Sequence, residues 1–238
     1  MMQALIFDCD GVLVDTERDG HRVAFNQAFA QIGLDCVWSV ERYGQLLLTA
    51  GGKERMRKHF DETGWPQNHP DRDALILRIH HLKTDIFMTL ISTGALPLRP
   101  GIRRIVDEAI AAGITLAVCS TSNEKAVQAV VDVMLGPERS AKITVFAGDV
   151  VAAKKPAPDI YTLAAATLHL TPASCMVIED SNNGLRAAKA AGMRCIVTIS
   201  SYTGEEDFHL ADRVVSDLDA GIDIPACRAI VEDKALAG

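Results

Sequence analysis

The chain has 238 residues, with 31 Asp and Glu against 24 Lys and Arg and a formal net charge of −7. That length allows one large domain, or one domain with a sizeable insertion, and an acidic balance with no basic block argues against broad nucleic-acid binding. Apolar residues make up 48% and aromatic residues 5%, so a full core can form and aliphatic side chains are expected to dominate it. The six cysteines include no CxxC pair, and Cys9, Cys119 and Cys195 lie inside strand-like runs. They read as small core residues of a protein kept in a reducing compartment. The N-terminus has neither a basic start nor a long apolar run. No signal peptide or membrane-spanning helix is therefore expected, and the expected location is the cytoplasm, or an organelle stroma if a transit peptide has been removed.

Residues 3–8, "QALIFD", read as a buried strand. From residue 16 to about 92 the pattern is helical. "HRVAFNQAFAQIG" spaces Val23, Phe25, Ala28, Phe29 and Ile32 for one helix face, with Gly33 as its stop. "SVERYGQLLLTAGGKERMRKHFDETGW" reads as two helices around a Gly-Gly break, and "RDALILRIHHLKTDIFMTLISTG" as a longer one. After "LPLRPG" at 96–101, helix and strand alternate. Helices are expected over about 102–112, 123–134, 158–168 and 182–191, and strands over 114–120, 143–146, 175–180, 194–199 and 212–218. Such alternation gives a parallel sheet with helices on both faces. The fold expected is α/β, with an all-α insertion after the first strand. Its core spans 1–15 and 95–238, and its cap 16–94.

In such sheets ligands sit outside the carboxyl ends of the strands. Four chemically marked segments fall there: Asp8-Cys9-Asp10, Ser120-Thr121-Ser122, Lys154-Lys155-Pro156 and Glu179-Asp180. Two aspartates one residue apart at a strand mouth repel each other and lose hydration, which needs compensation. Together the four segments have the chemistry of phosphoryl transfer. A carboxylate can attack phosphorus and a second can move the proton. Clustered acids bind Mg²⁺ through oxygen, and a hydroxyl and an ammonium neutralise phosphate oxygens. Taken singly, each segment has a structural explanation: a turn for the DxD pair, a helix N-cap for Ser120, a solvated loop for Lys155, and a cap for Glu179-Asp180.

"FDCDGVLVDTE", "CSTSNE", "KKPAPDIY" and "VIEDSNNGLRAAKAAG", in this order, resemble the four motifs of the haloacid-dehalogenase-like (HAD) superfamily. The resemblance covers nearly the whole chain. It implies a Rossmann-like core, a helical cap after the first motif, and Mg²⁺-dependent phosphatase or phosphomutase chemistry. It implies Asp8 as nucleophile, Asp10 as general acid/base, and Ser120 and Lys155 as phosphate holders. It also implies metal ligation by Asp8, the Asp10 backbone carbonyl and Asp180, with Glu179 direct or through water. Lys155 rather than Lys154 is chosen because the family lysine directly precedes the proline.

A cap in this position is expected to select the substrate. "TAGGKERM" at 49–56 offers Gly51 and Gly52 for close backbone approach, with Lys53 and Arg55 as cations. "RIHHLKTD" at 78–85 adds a second basic cluster, in which His80 and Lys83 share a helix face. The plain alternative for each is a turn or a solvated helix face. Glu17 suits sugar hydroxyls or a helix N-terminal turn, and Thr121 and Ser122 join the substrate-facing set. With "GGKERM", "CDGVLVDTERDGH", "LPLRPG", "AVCSTSNEKAV" and "LGPER", the chain looks like the CbbY-type phosphatases within the β-phosphoglucomutase-like branch. That resemblance implies hydrolysis of the small-molecule sugar bisphosphate xylulose-1,5-bisphosphate, an inhibitor of Rubisco, to xylulose-5-phosphate. A monomer that binds neither nucleic acid nor membrane is expected. Two other readings use the same residues: a β-phosphoglucomutase-type phosphomutase, and a receiver-like module that accepts a phosphoryl group without turnover.

Overall fold

The computed structural model describes residues 1–49, 52–148 and 150–233. The chain divides into two compact units, residues 1–15 with 97–238, and residues 16–96. The second crossing falls two residues beyond the sequence boundary because Leu96 is buried and would meet a side chain placed at Gly20.

The first unit is a six-stranded parallel sheet in the order β3-β2-β1-β4-β5-β6. Its strands are β1 (Ala4–Phe7), β2 (Thr115–Ser120), β3 (Ile143–Ala147), β4 (Cys175–Glu179), β5 (Arg194–Thr198) and β6 (Arg213–Val215). β1 and β4 are buried at every residue, as strands covered on both faces must be, so they read as continuous apolar runs. The chain steps outward from β1 through β2 to β3 and then returns to β4 on the other side of β1. The order reverses at β1, which is where such sheets bind ligands. β6 is shorter than the run 212–218 suggested: the chain leaves the ladder at Ser216 and turns, with the Asp219 N–H donating to Asp217 Oδ1 at 2.9 Å.

The second unit holds α1 (Arg22–Ile32), entered through a π-helical turn at Thr16–His21, then α2 (Val40–Leu47), α3 (Gly52–Thr63) and α4 (Arg72–Ser92). Gly33 ends α1 in the left-handed region, and Ser39 and Asp71 cap α2 and α4. Seven of the twelve Phe, Trp and Tyr residues lie in 16–96, so here the core is aromatic, against the aliphatic expectation that holds for the sheet. Trp38 sits 4.8 Å from the Phe25 ring and 4.9 Å from that of Phe29. The sheet's helices are α5 (Ile102–Ala111), α6 (Glu124–Val130), α7 (Pro137–Ser140), α8 (Asp159–Thr167), α9 (Asn182–Ala190) and α10 (Ile224–Glu232). Among the described residues no helix is long and apolar enough to cross a membrane, and all six cysteines are free thiols, five of them buried.

One side chain ties the carboxyl edge of the sheet together. The Arg99 guanidinium donates to the carbonyl oxygens of Gly11, Thr198 (3.1 Å), Ile199 (2.6 Å) and Ser216 (2.8 Å). Its backbone N–H donates to Leu13 at 2.9 Å. These carbonyls lie at or beyond strand ends, where the ladder no longer serves them. Arg99→Ala is expected to cost about 2–4 kcal/mol, because several acceptors lose a charged donor at once. Arg99→Lys should recover only part, since an ammonium cannot fork to four acceptors. Chemical denaturation of the three proteins checks this; an unchanged midpoint for the alanine variant would contradict it.

Candidate active site

β1 delivers Asp8 to the carboxyl edge, β2 ends in Ser120, and β4 ends in Glu179 followed by Asp180. Because β2, β1 and β4 are adjacent and parallel, these residues converge. Asp8, Ser120, Glu179 and Asp180 are all buried. Lys155 reaches in from the loop before α8. Its ammonium donates to Asp8 Oδ1 at 2.6 Å, Glu179 Oε1 at 2.7 Å and the Cys119 carbonyl at 2.9 Å. Lys154 beside it is exposed.

Charge in this site is strongly perturbed. Burial, with Glu179 and Asp10 nearby, outweighs the pull of Lys155 and pushes Asp8 up to about 7. Asp180 is held well above the usual carboxylate range, by burial first and then by Asp8 and Glu179. Burial alone would push Lys155 down, but Asp8 and Glu179 overcome it and hold the ammonium above its ordinary value. One lysine does not offset three clustered carboxyls. One oxygen from each of Asp8, Glu179 and Asp180 lies within 4.8 Å of the others. An all-oxygen, anionic donor set of this kind suits a hard divalent cation.

Two glycines make the cluster possible. A Cβ at Gly11, where φ is +80°, would lie 1.9 Å from Asp180 Oδ2, and a Cβ at Gly184 would lie 2.0 Å from Glu179 Oε2. Gly11 therefore lets the turn after Asp10 close onto Asp180, and Gly184 lets α9 lie against Glu179. The turn is fixed by the Gly11 N–H donating to Val14 at 2.8 Å.

Asp10 is half-buried and accepts a short hydrogen bond from Ser122 Oγ at Oδ2. Ser120 is not a helix cap: Asn123 caps α6, and Ser120 Oγ accepts from the Ser122 N–H at 3.1 Å. Thr121 lines a cleft of about 470 Å³ with Glu124, Gly148 and Lys154. Sequence reasoning missed Tyr161, whose hydroxyl donates to Glu179 Oε1, and Ser200, which hydrogen-bonds Asp180. Tyr161 is the last residue of "KKPAPDIY", but the sequence assigns it no role.

The helical unit has a polar cluster of its own. Glu17 Oε2 accepts from the Tyr43 hydroxyl at 2.6 Å, and Arg55 donates to the same hydroxyl at 3.2 Å. Lys83 Nζ lies 2.9 Å from His21 Nδ1 and 5.1 Å from the Phe25 ring centre. Burial, with Lys83 and Arg55 close by, holds His21 well below its ordinary value, so it accepts from Lys83 as a neutral ring. Gly52 opens α3 close to the His80 ring, and Lys53 beside it is half-buried. His80 is lowered by burial and by Lys53 and Lys83. Gly51 lies outside the described residues. Tyr43 carried no sequence signal beyond an amphipathic helix, and His21 closes the run "CDGVLVDTERDGH", to which the resemblance assigns it no role.

The family profile described as "Hydrolase: haloacid dehalogenase-like hydrolase" matches residues 2–192. The chain belongs to that family. It is a hydrolase of the phosphatase type. A CBBY-like protein of Arabidopsis thaliana is 57% identical over 215 residues, covering 89% of this chain and 67% of its own length. Protein CbbY of Cereibacter sphaeroides is 44% identical over 233 residues, covering 95% and 99%. The crystal structure of a CbbY variant from Rhodobacter sphaeroides in complex with xylulose-(1,5)bisphosphate matches with a TM-score of 0.72 and 42% identity, over 94% of this chain and all of that one.

The Lys83 environment gives a pH prediction. Burial outweighs the pull of Glu17 and lowers Lys83 from 10.5 to about 8. Between these values the unfolded chain holds a proton that the folded chain has lost, so stability contributed here rises with pH across that window. Relative to Lys83→Met, the wild type should gain about 3 kcal/mol at most between pH 8 and 10.5. Thermal unfolding of both proteins across that range measures it. Parallel curves would contradict the assignment.

Proposed function

We propose that the chain is a Mg²⁺-dependent sugar-phosphate phosphatase that works through an aspartyl-phosphate on Asp8, with xylulose-1,5-bisphosphate as its substrate and xylulose-5-phosphate and inorganic phosphate as its products. The observation that carries this reading is the Lys155 ammonium held between Asp8 and Glu179, with Asp180 alongside, at the tips of adjacent parallel strands. The CbbY relatives and the bisphosphate-bound CbbY structure support the substrate.

In this mechanism an Asp8 oxygen attacks phosphorus as the ester oxygen leaves, and Asp10 gives the leaving oxygen its proton. Asp10 then takes a proton from water as that water attacks phosphorus and the Asp8–phosphorus bond breaks. Ser122 orients the Asp10 carboxyl for both transfers. Lys155 and the Ser120 hydroxyl hold phosphate oxygens as charge shifts during transfer. Asp8, the Asp10 carbonyl and Asp180, with Glu179 directly or through water, would hold Mg²⁺, which would supply positive charge to offset the carboxylates and the phosphate. The raised Asp8 is the group that most needs such a charge to remain an anionic nucleophile.

A bisphosphate needs a second cationic site, and the helical unit supplies the candidates. Arg55 and Lys83 are braced by Tyr43 and His21. Lys53, with Gly51, Gly52 and His80, serves the distal phosphate in this reading, and Glu17 with Tyr43 serves sugar hydroxyls. The reaction belongs where Rubisco works, in a bacterial cytoplasm or a chloroplast stroma.

Phosphate release from a panel of sugar mono- and bisphosphates with Mg²⁺ tests the reading. Xylulose-1,5-bisphosphate should be the best substrate. Lys53→Ala should lower its kcat/KM roughly 10- to 100-fold, from the loss of one charge-assisted contact, while leaving a small one-phosphate ester almost unaffected. Equal losses on both substrates would sink the two-phosphate assignment. Isomerised sugar phosphate without phosphate release would replace the phosphatase with a mutase.

A further inference from the structure

Tyr161 is fully buried on α8 and touches both members of the central ion pair. Its hydroxyl donates to Glu179 Oε1, and the Lys155 ammonium lies 5.0 Å from its ring centre. The same Oε1 accepts from Lys155 at 2.7 Å, while Oε2 accepts the Asp180 N–H at 3.2 Å. Oε1 thus has both lone pairs engaged, and among the described residues Oε2 keeps one free.

We propose that Tyr161 is a positioning residue, whose hydroxyl and ring face together hold the Glu179–Lys155 pair in the one arrangement that serves both the cation and the phosphate. This rests on the reading above that Glu179 serves Mg²⁺ and Lys155 the phosphoryl group. The physical reason is competition for a single ammonium. Lys155 has three donors, and the structure spends them on Asp8, Glu179 and the Cys119 carbonyl. A buried carboxylate with no other donor at Oε1 would draw Lys155 toward itself and away from Asp8. The phenol supplies the second hydrogen bond without adding charge. It therefore satisfies Glu179 while leaving the positive charge of Lys155 directed at Asp8. It also fixes the rotation of the carboxylate, so that Oε2 faces the Asp180 N–H and is left to serve a cation. The aromatic face meanwhile gives the ammonium a favourable surface where the backbone offers only one carbonyl. Gly184 blocks nothing on the other side, so the carboxylate is held by these donors rather than wedged by a side chain.

A purely structural role would make Tyr161 only a filler between α8 and the sheet. Tyr161→Phe separates the two, because it keeps the ring and removes the hydroxyl. Mg²⁺ binding to the substrate-free protein, measured by titration calorimetry, should weaken roughly 10- to 100-fold, as expected when the outer partner of a metal ligand is lost. The unfolding midpoint without Mg²⁺ should stay within a few degrees of wild type. Tyr161→Leu also removes the ring. It should show the same loss for Mg²⁺ and, at saturating Mg²⁺, weaker binding of inorganic phosphate than Tyr161→Phe, because Lys155 is then released as well. Unchanged Mg²⁺ affinity in Tyr161→Phe, whatever its midpoint, overturns the inference. A wild-type protein that binds no Mg²⁺ and releases no phosphate overturns the proposed function, and this inference with it.

Discussion

Crowding of buried carboxyls at the carboxyl end of the sheet is the constraint that the first unit is built around. Asp8, Glu179 and Asp180 place ligand oxygens within 4.8 Å of one another, all buried, with Lys155 as the cation between two of them. Mutual repulsion and lost hydration make such an arrangement unfavourable in a folded chain unless other groups hold it. Those other groups account for much of what is unusual nearby. Gly11 and Gly184 are bare because the carboxylates occupy the space where a Cβ would stand. Tyr161 brings a hydroxyl into an otherwise apolar cluster of Ile160, Ala164 and Val177. Arg99 gathers the loose carbonyls of three chain segments, including that of Gly11. Acid at the tip of β1 is therefore tolerated because the surrounding backbone and donors are arranged around it, and the cluster they leave suits a divalent cation.

The two units solve different problems. The sheet unit uses aliphatic strands and short polar tips, so that charged groups stand on rigid backbone. The helical unit uses an aromatic core of Phe25, Phe29, Trp38, Tyr43 and Phe60, and braces each polar group with another. Tyr43 is both a core ring and the hydroxyl between Glu17 and Arg55, and His21 is both a ring whose centre lies 3.9 Å from that of Phe87, tilted by 38°, and the acceptor for Lys83. A lysine lowered to about 8 in this setting holds its charge weakly, so an anionic ligand nearby would favour its protonated form.

The sheet, its parallel sense and the convergence of Asp8, Ser120 and Glu179 were legible because apolar runs alternate with helical spacing and each marked residue falls at the end of a run. The aromatic core of the helical unit was not, because a composition averaged over the whole chain hides where the rings lie. Gly11 and Gly184 carried no signal by themselves, since glycine in a turn or a first helical turn has ordinary explanations. Tyr161 closes the motif "KKPAPDIY", but a ring on a helix gives no sign of what its hydroxyl meets. The strand expected over 212–218 shortened to Arg213–Val215 because alternation of apolar residues cannot tell where an edge strand leaves its only neighbour. Pairings such as Glu17 with Tyr43 or Lys83 with His21 join residues 26 and 62 positions apart, a separation that one sequence does not encode as spacing.

The central claim is that phosphoryl transfer passes through a covalent bond to Asp8. Borohydride quenching during turnover of xylulose-1,5-bisphosphate with Mg²⁺ reduces an acyl-phosphate to an alcohol, and peptide mass spectrometry then identifies the carboxylate that carried it. The account predicts homoserine at position 8, dependent on both substrate and Mg²⁺, with Asp10, Glu179 and Asp180 unchanged. Steady phosphate release with Asp8 intact, or reduction at one of the other carboxylates instead, would contradict it.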